Sequence, residues 1–90
     1  MTVYLVTYEL NSKTSDYSAL FAALKNYKLF HQCIENAWLI ASNDPVVQIQ
    51  NNLNGKIYQG DFILIIKVNK SFGGWLPMKA WEWMNANIPF

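Results

Sequence analysis

A single carboxylate stands at the end of the first apolar segment of the sequence, where it could take part in metal chemistry. Glu9 closes the run that begins at Val3. If that run is a central strand beside a two-fold axis, Glu9 would meet its own copy, and the two carboxylates could hold Mg²⁺ or Mn²⁺. Glu9 is therefore the candidate catalytic residue and metal ligand, against the simpler interpretation of a polar residue where a strand leaves the core. Three polar side chains are expected near enough to assist it: Asn11, Ser12 and Ser42.

A thiol and an imidazole provide a second candidate pair. His31 and Cys33 are two residues apart in a segment predicted to be a strand, so they share one face. A cysteine beside a histidine is the combination that nucleophilic catalysis uses. No local signature surrounds either residue, and alternate side chains share a face on every strand. A packed or half-exposed position is therefore the favoured interpretation.

The C-terminal part of the sequence is rich in glycine and tryptophan. Phe72-Gly-Gly-Trp75 lacks the spacing and the following lysine of a phosphate-binding loop, so it predicts a hinge. Trp75, Trp81 and Trp83 could stack on nucleotide bases, as aromatic platforms do in single-strand binders. All seven basic residues are lysines, so no arginine accompanies these rings and packing is their favoured role.

Charge is scarce in this chain. Hydrophobic residues make up 52% and aromatic residues 16% of the sequence, whereas charged residues make up 14%. An ordinary domain carries about 25% charged residues, so part of the surface must be apolar, and a partner is expected to cover it. Without the arginine fork that grips phosphates and guanine edges, tight nucleic-acid binding by one protomer is not expected. The lysines are spread along the chain, so only folding or dimerisation could gather them into a phosphate-binding track.

Length and cysteine count limit the architecture and the compartment. The 90 residues suffice for one compact core, which predicts a single domain over residues 1–90. Cys33 is the only cysteine, which excludes an intramolecular disulfide and a cysteine-built zinc site and fits a reducing compartment. The N-terminus lacks the features of a secretory signal, and no window approaches the ~20 apolar residues of a membrane span. A cytoplasmic protein without a membrane partner is expected.

Six elements are predicted to position these side chains. Runs rich in β-branched and aromatic residues predict strands, and apolar residues spaced by three and four predict helices. Glu35-Asn36 suits a tight turn between two strands, and Asp44-Pro45 is typical of a helix start. The strands are predicted at residues 3–10, 29–34, 37–42 and 61–68, and the helices at residues 16–27 and 45–54.

The order strand, helix, strand, strand, helix, strand predicts an α+β fold of the ferredoxin-like kind. In that sandwich a four-stranded antiparallel sheet carries both helices on one face, and the first and third strands lie centrally. The aromatic tail of residues 75–90 is predicted to hold a short C-terminal helix that opens at Pro77. The apolar side of that helix is predicted to carry Met78, Trp81, Met84 and Ile88.

The predicted sheet needs a second cover. Its strands at residues 3–10 and 61–68 are apolar on both faces, and two helices cover only one of them. The face of Tyr4, Val6 and Tyr8 is predicted to be the one that the helices leave open. Either the aromatic tail or a second copy of the chain would cover it, so a symmetric homodimer is predicted.

Three stretches of the sequence resemble a known group of small proteins. They are Tyr4-Leu-Val-Thr-Tyr-Glu-Leu-Asn11, then Asp16-Tyr17 at the opening of the first helix, then Ile34-Glu-Asn-Ala-Trp-Leu-Ile40. In order and spacing the match covers most of residues 3–68, and it is similar to the SinR-like proteins, relatives of the small CRISPR adaptation endoribonuclease subunit and of the virulence-associated protein D toxins. The resemblance implies a ferredoxin-like homodimer. In the CRISPR and toxin branches it also implies a metal-dependent nuclease, whose aspartate at the end of the first strand corresponds to Glu9 here.

Three functions stay open from the sequence. The first is a nucleic-acid-processing protein, either a weak Mg²⁺- or Mn²⁺-dependent ribonuclease acting on RNA or DNA or a descendant that has lost the activity. The second is a non-catalytic interaction module that docks a protein partner through the sheet face or the aromatic tail. The third, a toxin-antitoxin or phage-conflict component, is a biological role compatible with either mechanism. The resemblance favours the nuclease, whereas low charge and high aromatic content favour the module.

Overall fold

Four strands and three helices alternate along the chain in an α+β arrangement. The computed structural model describes residues 1–88, so Pro89 and Phe90 of the predicted tail lie outside the described residues. The elements are β1 (Thr2–Glu9), α1 (Ser18–Lys25), β2 (Leu29–Ile34), β3 (Ala37–Ser42), α2 (Val46–Leu53), β4 (Phe62–Lys67) and α3 (Met78–Asn87). Each predicted strand and helix is present, with boundaries shifted by no more than a turn. None of the helices within residues 1–88 is long and apolar enough to cross a membrane.

The strands form one open antiparallel sheet in the order β2-β3-β1-β4. The first and third strands are central, as predicted. Val6 of β1 lies opposite Trp38 of β3 on one side and Ile65 of β4 on the other. The turn at Glu35 and Asn36 joins β2 to β3, and the pairing shifts by one residue at a bulge beside it.

Helices α1 and α2 cover the first face of the sheet. Leu20 and Leu24 of α1 and Ile49 and Leu53 of α2 are fully or almost fully buried. The sheet residues packed against them are Tyr4, Val6, Tyr8, Trp38 and Ile40. The prediction that this face would be left open by the helices is therefore wrong. Since both faces of β1 are apolar, the periodicity of the strand could not tell which face the helices take.

Helix α3 packs on the second face. Its buried side consists of Ala80 and Met84, and Ile88, directly after the helix, is buried beside them, so Met84 and Ile88 were placed correctly. Met78 was not, because its side chain is 75% exposed. Two of the five buried sheet residues under α3 are alanines of β3. The five residues are Val3, Cys33, Ala37, Leu39 and Ala41. Trp81 and Trp83 are partly buried against the same cluster.

Candidate functional site

Glu9 lies at the edge of the structured core, at the end of β1. Its side chain is exposed, and the residue is opposite Phe62 of β4. The Nδ2 of Asn11 donates to Glu9 Oε2 at 3.4 Å and to the Gly60 carbonyl oxygen at 2.8 Å. Asn11 is therefore next to Glu9, as predicted, and orients the carboxylate only weakly.

A cleft beside Glu9 contains a second carboxylate. Glu9 and Glu35 both line this cleft, whose volume is about 470 Å³. The sequence did not point to Glu35 as a site residue, because its position in the predicted tight turn already explained a polar side chain there. Within residues 1–88 no group of three or more His, Cys, Asp or Glu side chains is arranged to hold a metal ion. The carboxylates that line this cleft are those of Glu9 and Glu35, fewer oxygen ligands than a protein normally supplies to enclose a divalent cation.

Asp61 lies beside the same end of the sheet, and its carboxylate is hydrogen-bonded within the fold. Oδ2 accepts hydrogen bonds from the Tyr17 hydroxyl at 2.7 Å and the Tyr58 N–H at 2.9 Å, and Oδ1 accepts one from the Asn11 N–H at 2.7 Å. Burial alone would raise the pKa of Asp61, but these hydrogen bonds outweigh it and hold the pKa below its usual range. Asp61 is therefore a structural residue that ties β4 to the loop after β1.

This carboxylate gives the fold an acid-sensitive element. Because the pKa of Asp61 is lower in the folded chain than in the unfolded chain, its stabilising contribution is complete above about pH 5 and is lost as pH falls through the lowered value. We expect Asp61→Asn to lower Tm near neutral pH and to flatten the decline of Tm in acid. Circular dichroism melts between about pH 7 and pH 2 measure both effects. Glu9→Gln removes the same charge nearby and is the control; an equal loss in that variant would contradict the assignment.

Two of the other predicted neighbours of Glu9 do not contribute to the corner. Ser42 pairs with Thr2, so it lies at the opposite end of the sheet, where its Oγ accepts a hydrogen bond from the Asp44 N–H at 3.0 Å. The expectation that it lies near Glu9 is wrong, because antiparallel pairing sets the end of β3 against the start of β1. Ser12 is on the correct side, but its hydroxyl bonds that of Ser15.

Cys33 and His31 both lie on the α3 side of the sheet, as predicted, but each has a different partner. The Cys33 thiol is buried beside the bulge and donates to the Ala37 carbonyl oxygen at 3.3 Å. Burial raises the pKa of this thiol, which disfavours the thiolate that a nucleophile needs. The His31 ring stacks on Trp83 with a centroid distance of 6.4 Å. The packed interpretation of both residues is the one that this geometry supports.

The tail tryptophans differ in their surroundings. Trp81 stacks on Phe72 with ring centroids 5.9 Å apart, and Trp83 stacks on His31. Both are partly buried against the α3 side of the sheet. Trp75, in the loop before α3, is 98% exposed. Packing thus accounts for Trp81 and Trp83 but gives no role to Trp75.

An apolar strip remains open on the second face. Phe62, Leu64 and Ile66 of β4 are 64%, 54% and 47% exposed, and we call these three residues the apolar strip. They lie on the same face as α3, opposite Glu9, Thr7 and Leu5 of β1. Helix α3 packs over β2, β3 and the start of β1, so it leaves β4 uncovered. An open row of three large apolar side chains on one strand is typical of a contact surface.

The chain was compared with family models, with curated proteins and with solved structures, and no match was found in any of the three.

Proposed function

We propose that this chain is a dimeric protein-interaction module whose contact surface is the apolar strip. The observation that carries the proposal is the exposure of Phe62, Leu64 and Ile66 side by side on an edge strand. The scarcity of charge, 14% of residues, supports it as well. Complete burial of such a side chain is worth about 1.5–3 kcal/mol, so each part of the strip that a partner covers favours association.

We further propose that the fold is ferredoxin-like. The order of elements in the first 67 residues and the sheet order β2-β3-β1-β4 support this assignment. The packing of α1 and α2 on a single face supports it too. In this proposal α3 is an addition to the ferredoxin-like fold. It covers part of the second face of the sheet, and the part that it leaves uncovered is the apolar strip.

Light scattering tests the interaction module directly. At micromolar concentration the purified chain should give twice the chain mass of 10.4 kDa. The physical reason is that water is a poor cover for three adjacent large apolar side chains. A single-chain mass across the micromolar range would contradict the proposal.

A second candidate function is a weak metal-dependent ribonuclease, favoured by the placement of Glu9 and Glu35 in one cleft. The resemblance to the SinR-like group supports this candidate, and a toxin-antitoxin or phage-conflict role fits either function. Phosphodiester cleavage requires that the developing negative charge be neutralised, and the sequence contains no arginine that could do so. Mg²⁺ or Mn²⁺ held by carboxylates would have to supply that charge.

Replacing Glu9 is the test of the ribonuclease. We expect Glu9→Ala to abolish any Mg²⁺- or Mn²⁺-dependent cleavage of a labelled RNA, because it removes half of the carboxylates of the cleft. The fold should be unchanged, since the side chain is exposed and its one hydrogen bond is long. Asp44→Ala, which removes a carboxylate elsewhere, is the matched control. Cleavage that persists in Glu9→Ala or in chelator would exclude Glu9 and direct attention to His31.

A further inference from the structure

The outer edge of β4 is an unprotected strand edge. In the order β2-β3-β1-β4 this strand has one neighbour, β1, and pairs with it over six residues without a register shift. The opposite edge, β2, is interrupted by a bulge, which is one of the devices that keep edges from pairing. Strand β4 has no such device apart from Lys67 at its end. Its edge is therefore able to accept another strand.

The hydrogen bonds to β1 fix which backbone groups point outward. The Val68 N–H donates to the Val3 carbonyl oxygen at 2.9 Å, so the even-numbered residues of β4 direct their backbone groups at β1. Because these groups alternate along an antiparallel strand, Ile63 and Ile65 direct their N–H and C=O groups at the open edge. The even-numbered residues at the same time carry the apolar strip on the α3 side.

We propose that β4 pairs with β4 of a second copy, antiparallel, about a two-fold axis at Leu64. The two sheets then join into one continuous sheet of eight strands, and the axis is perpendicular to it. This inference rests on the proposed interaction module and specifies its partner and its geometry. Ile63 of each copy exchanges two backbone hydrogen bonds with Ile65 of the other.

Symmetry and charge select this register. In an antiparallel ladder, residues directly opposite each other point to the same face of the sheet. A two-fold axis perpendicular to the sheet also keeps each side chain on its own face. The axis must therefore pass between a residue and the same residue of the second copy. Centring on Leu64 sets Lys67 against Asp61 of the second copy, the residue directly before β4, so opposite charges lie near each other at both ends of the ladder. Centring on Ile65 would set Lys67 opposite Ile63 instead, and centring on Ile63 would set Asp61 opposite Ile65. Only the Leu64 register matches charge with charge and apolar residues with apolar residues.

The two apolar strips become cross-strand neighbours in this arrangement. Phe62 lies opposite Ile66 of the second copy, and Leu64 lies opposite its own copy. The Leu64 pair is a non-hydrogen-bonded pair, since the edge-facing groups belong to the odd-numbered residues. In such pairs the Cα atoms are about 4.5 Å apart, which is within the range that a disulfide can bridge.

Site-directed disulfide formation tests the register. In a Cys33→Ser background, which removes the buried native thiol, Leu64→Cys should form a disulfide-linked dimer in most molecules under mild oxidation at micromolar concentration. Phe62→Cys and Ile66→Cys are the matched controls on the same face. Each of these variants alone should form the disulfide at least about tenfold more slowly than Leu64→Cys. The reason is that the two copies of the same cysteine are then offset by four residues along the ladder, about 13 Å. Mixing these two variants should restore cross-linking through the mixed disulfide.

The outcomes separate this inference from the proposed function. A dimeric mass together with the Leu64 disulfide and the mixed Phe62→Cys and Ile66→Cys disulfide supports the register. A dimeric mass with cross-linking at other positions, or equal cross-linking of all three single variants, overturns the register and leaves the interaction module in place. A single-chain mass in light scattering overturns both, and an extended apolar peptide of another protein would then be the occupant to test at the β4 edge.

Discussion

Leu64→Asp is expected to convert the proposed dimer into a monomer, with an increase in Kd of at least about hundredfold, or about 2.8 kcal/mol. One substitution changes both members of a cross-strand pair, because Leu64 lies opposite Leu64 of the second copy in the proposed ladder. Two carboxylates would then face each other across a non-hydrogen-bonded pair, and like charges directly opposed destabilise a sheet. It also removes two large apolar side chains that are 54% exposed in one protomer. Sedimentation or light scattering over a dilution series measures the change.

The matched control is Val47→Asp. Val47 is 56% exposed on α2, so the variant introduces the same charge in place of an equally exposed apolar residue away from β4. Its Kd should stay within a few-fold of that of the unchanged chain. Equal dissociation in both variants would mean that net charge, and not the apolar strip, controls association. An unchanged mass for Leu64→Asp would remove the strip from the interface.

The two candidate functions require different dimers. A metal ion shared by two Glu9 side chains needs their carboxylates within a few ångströms of each other. In the β4 ladder Glu9 is opposite Phe62, and Phe62 is opposite Ile66 of the second copy. The two Glu9 residues are then about 14 Å apart across three strand spacings and about 13 Å apart along the strands. Confirmation of the Leu64 disulfide would thus confine any metal chemistry to one protomer, with Glu35 as the second carboxylate.

Secondary structure was predictable because each element has a strong local pattern. Residues 62–66 of β4 are an uninterrupted apolar run after the turn at Gly60, whose φ of +92° suits glycine. The α2 helix begins directly after Asp44-Pro45, where the fixed φ of proline favours a helix start. Such signals depend on neighbours in the sequence and need no knowledge of the tertiary packing.

The assignment of faces and the composition of the sites were not predictable in the same way. Val3 and Tyr4 point to opposite faces of the sheet and are both apolar enough to be buried. The pattern of the strand therefore does not show which helix covers which face. Glu35 enters the cleft of Glu9 only because β3 pairs with β1, a contact between residues distant in sequence. The exposure of the apolar strip likewise depends on how much of the second face α3 covers, which is a tertiary contact. Sequence reasoning could place Glu9 at a strand end but could not find its neighbours.

Trp38→Ala is expected to cost about 3–5 kcal/mol of the free energy of unfolding. Trp38 is 3% exposed in the core between the sheet and the first two helices. Its ring stacks on Phe21 with a centroid distance of 6.2 Å, and its Nε1 donates to the Tyr8 hydroxyl at 3.0 Å. That hydroxyl donates in turn to the Glu35 carbonyl oxygen at 3.0 Å, so the ring also supports the turn that carries Glu35.

Two separate losses add up in this variant. Removal of the indole leaves a cavity that the surrounding side chains fill only in part, and the Tyr8 hydroxyl loses its donor in a buried position. A chain of this length has a total stability of about 5–14 kcal/mol, so the substitution should remove a large share of it. Urea denaturation in the Leu64→Asp background measures the effect without the contribution of dimerisation, which would otherwise make the midpoint depend on concentration.

Trp75→Ala provides the control, because it removes the same ring from a position that is 98% exposed. It should change the free energy of unfolding by no more than about 0.5 kcal/mol, as surface substitutions usually do. Fluorescence should report the same contrast, with loss of a solvent-exposed emitter in Trp75→Ala and loss of a buried one in Trp38→Ala. Similar costs for the two variants would mean that the Trp38 ring does not organise the core, and that the hydrogen-bonded path from Trp38 through Tyr8 to Glu35 does not stabilise the cleft.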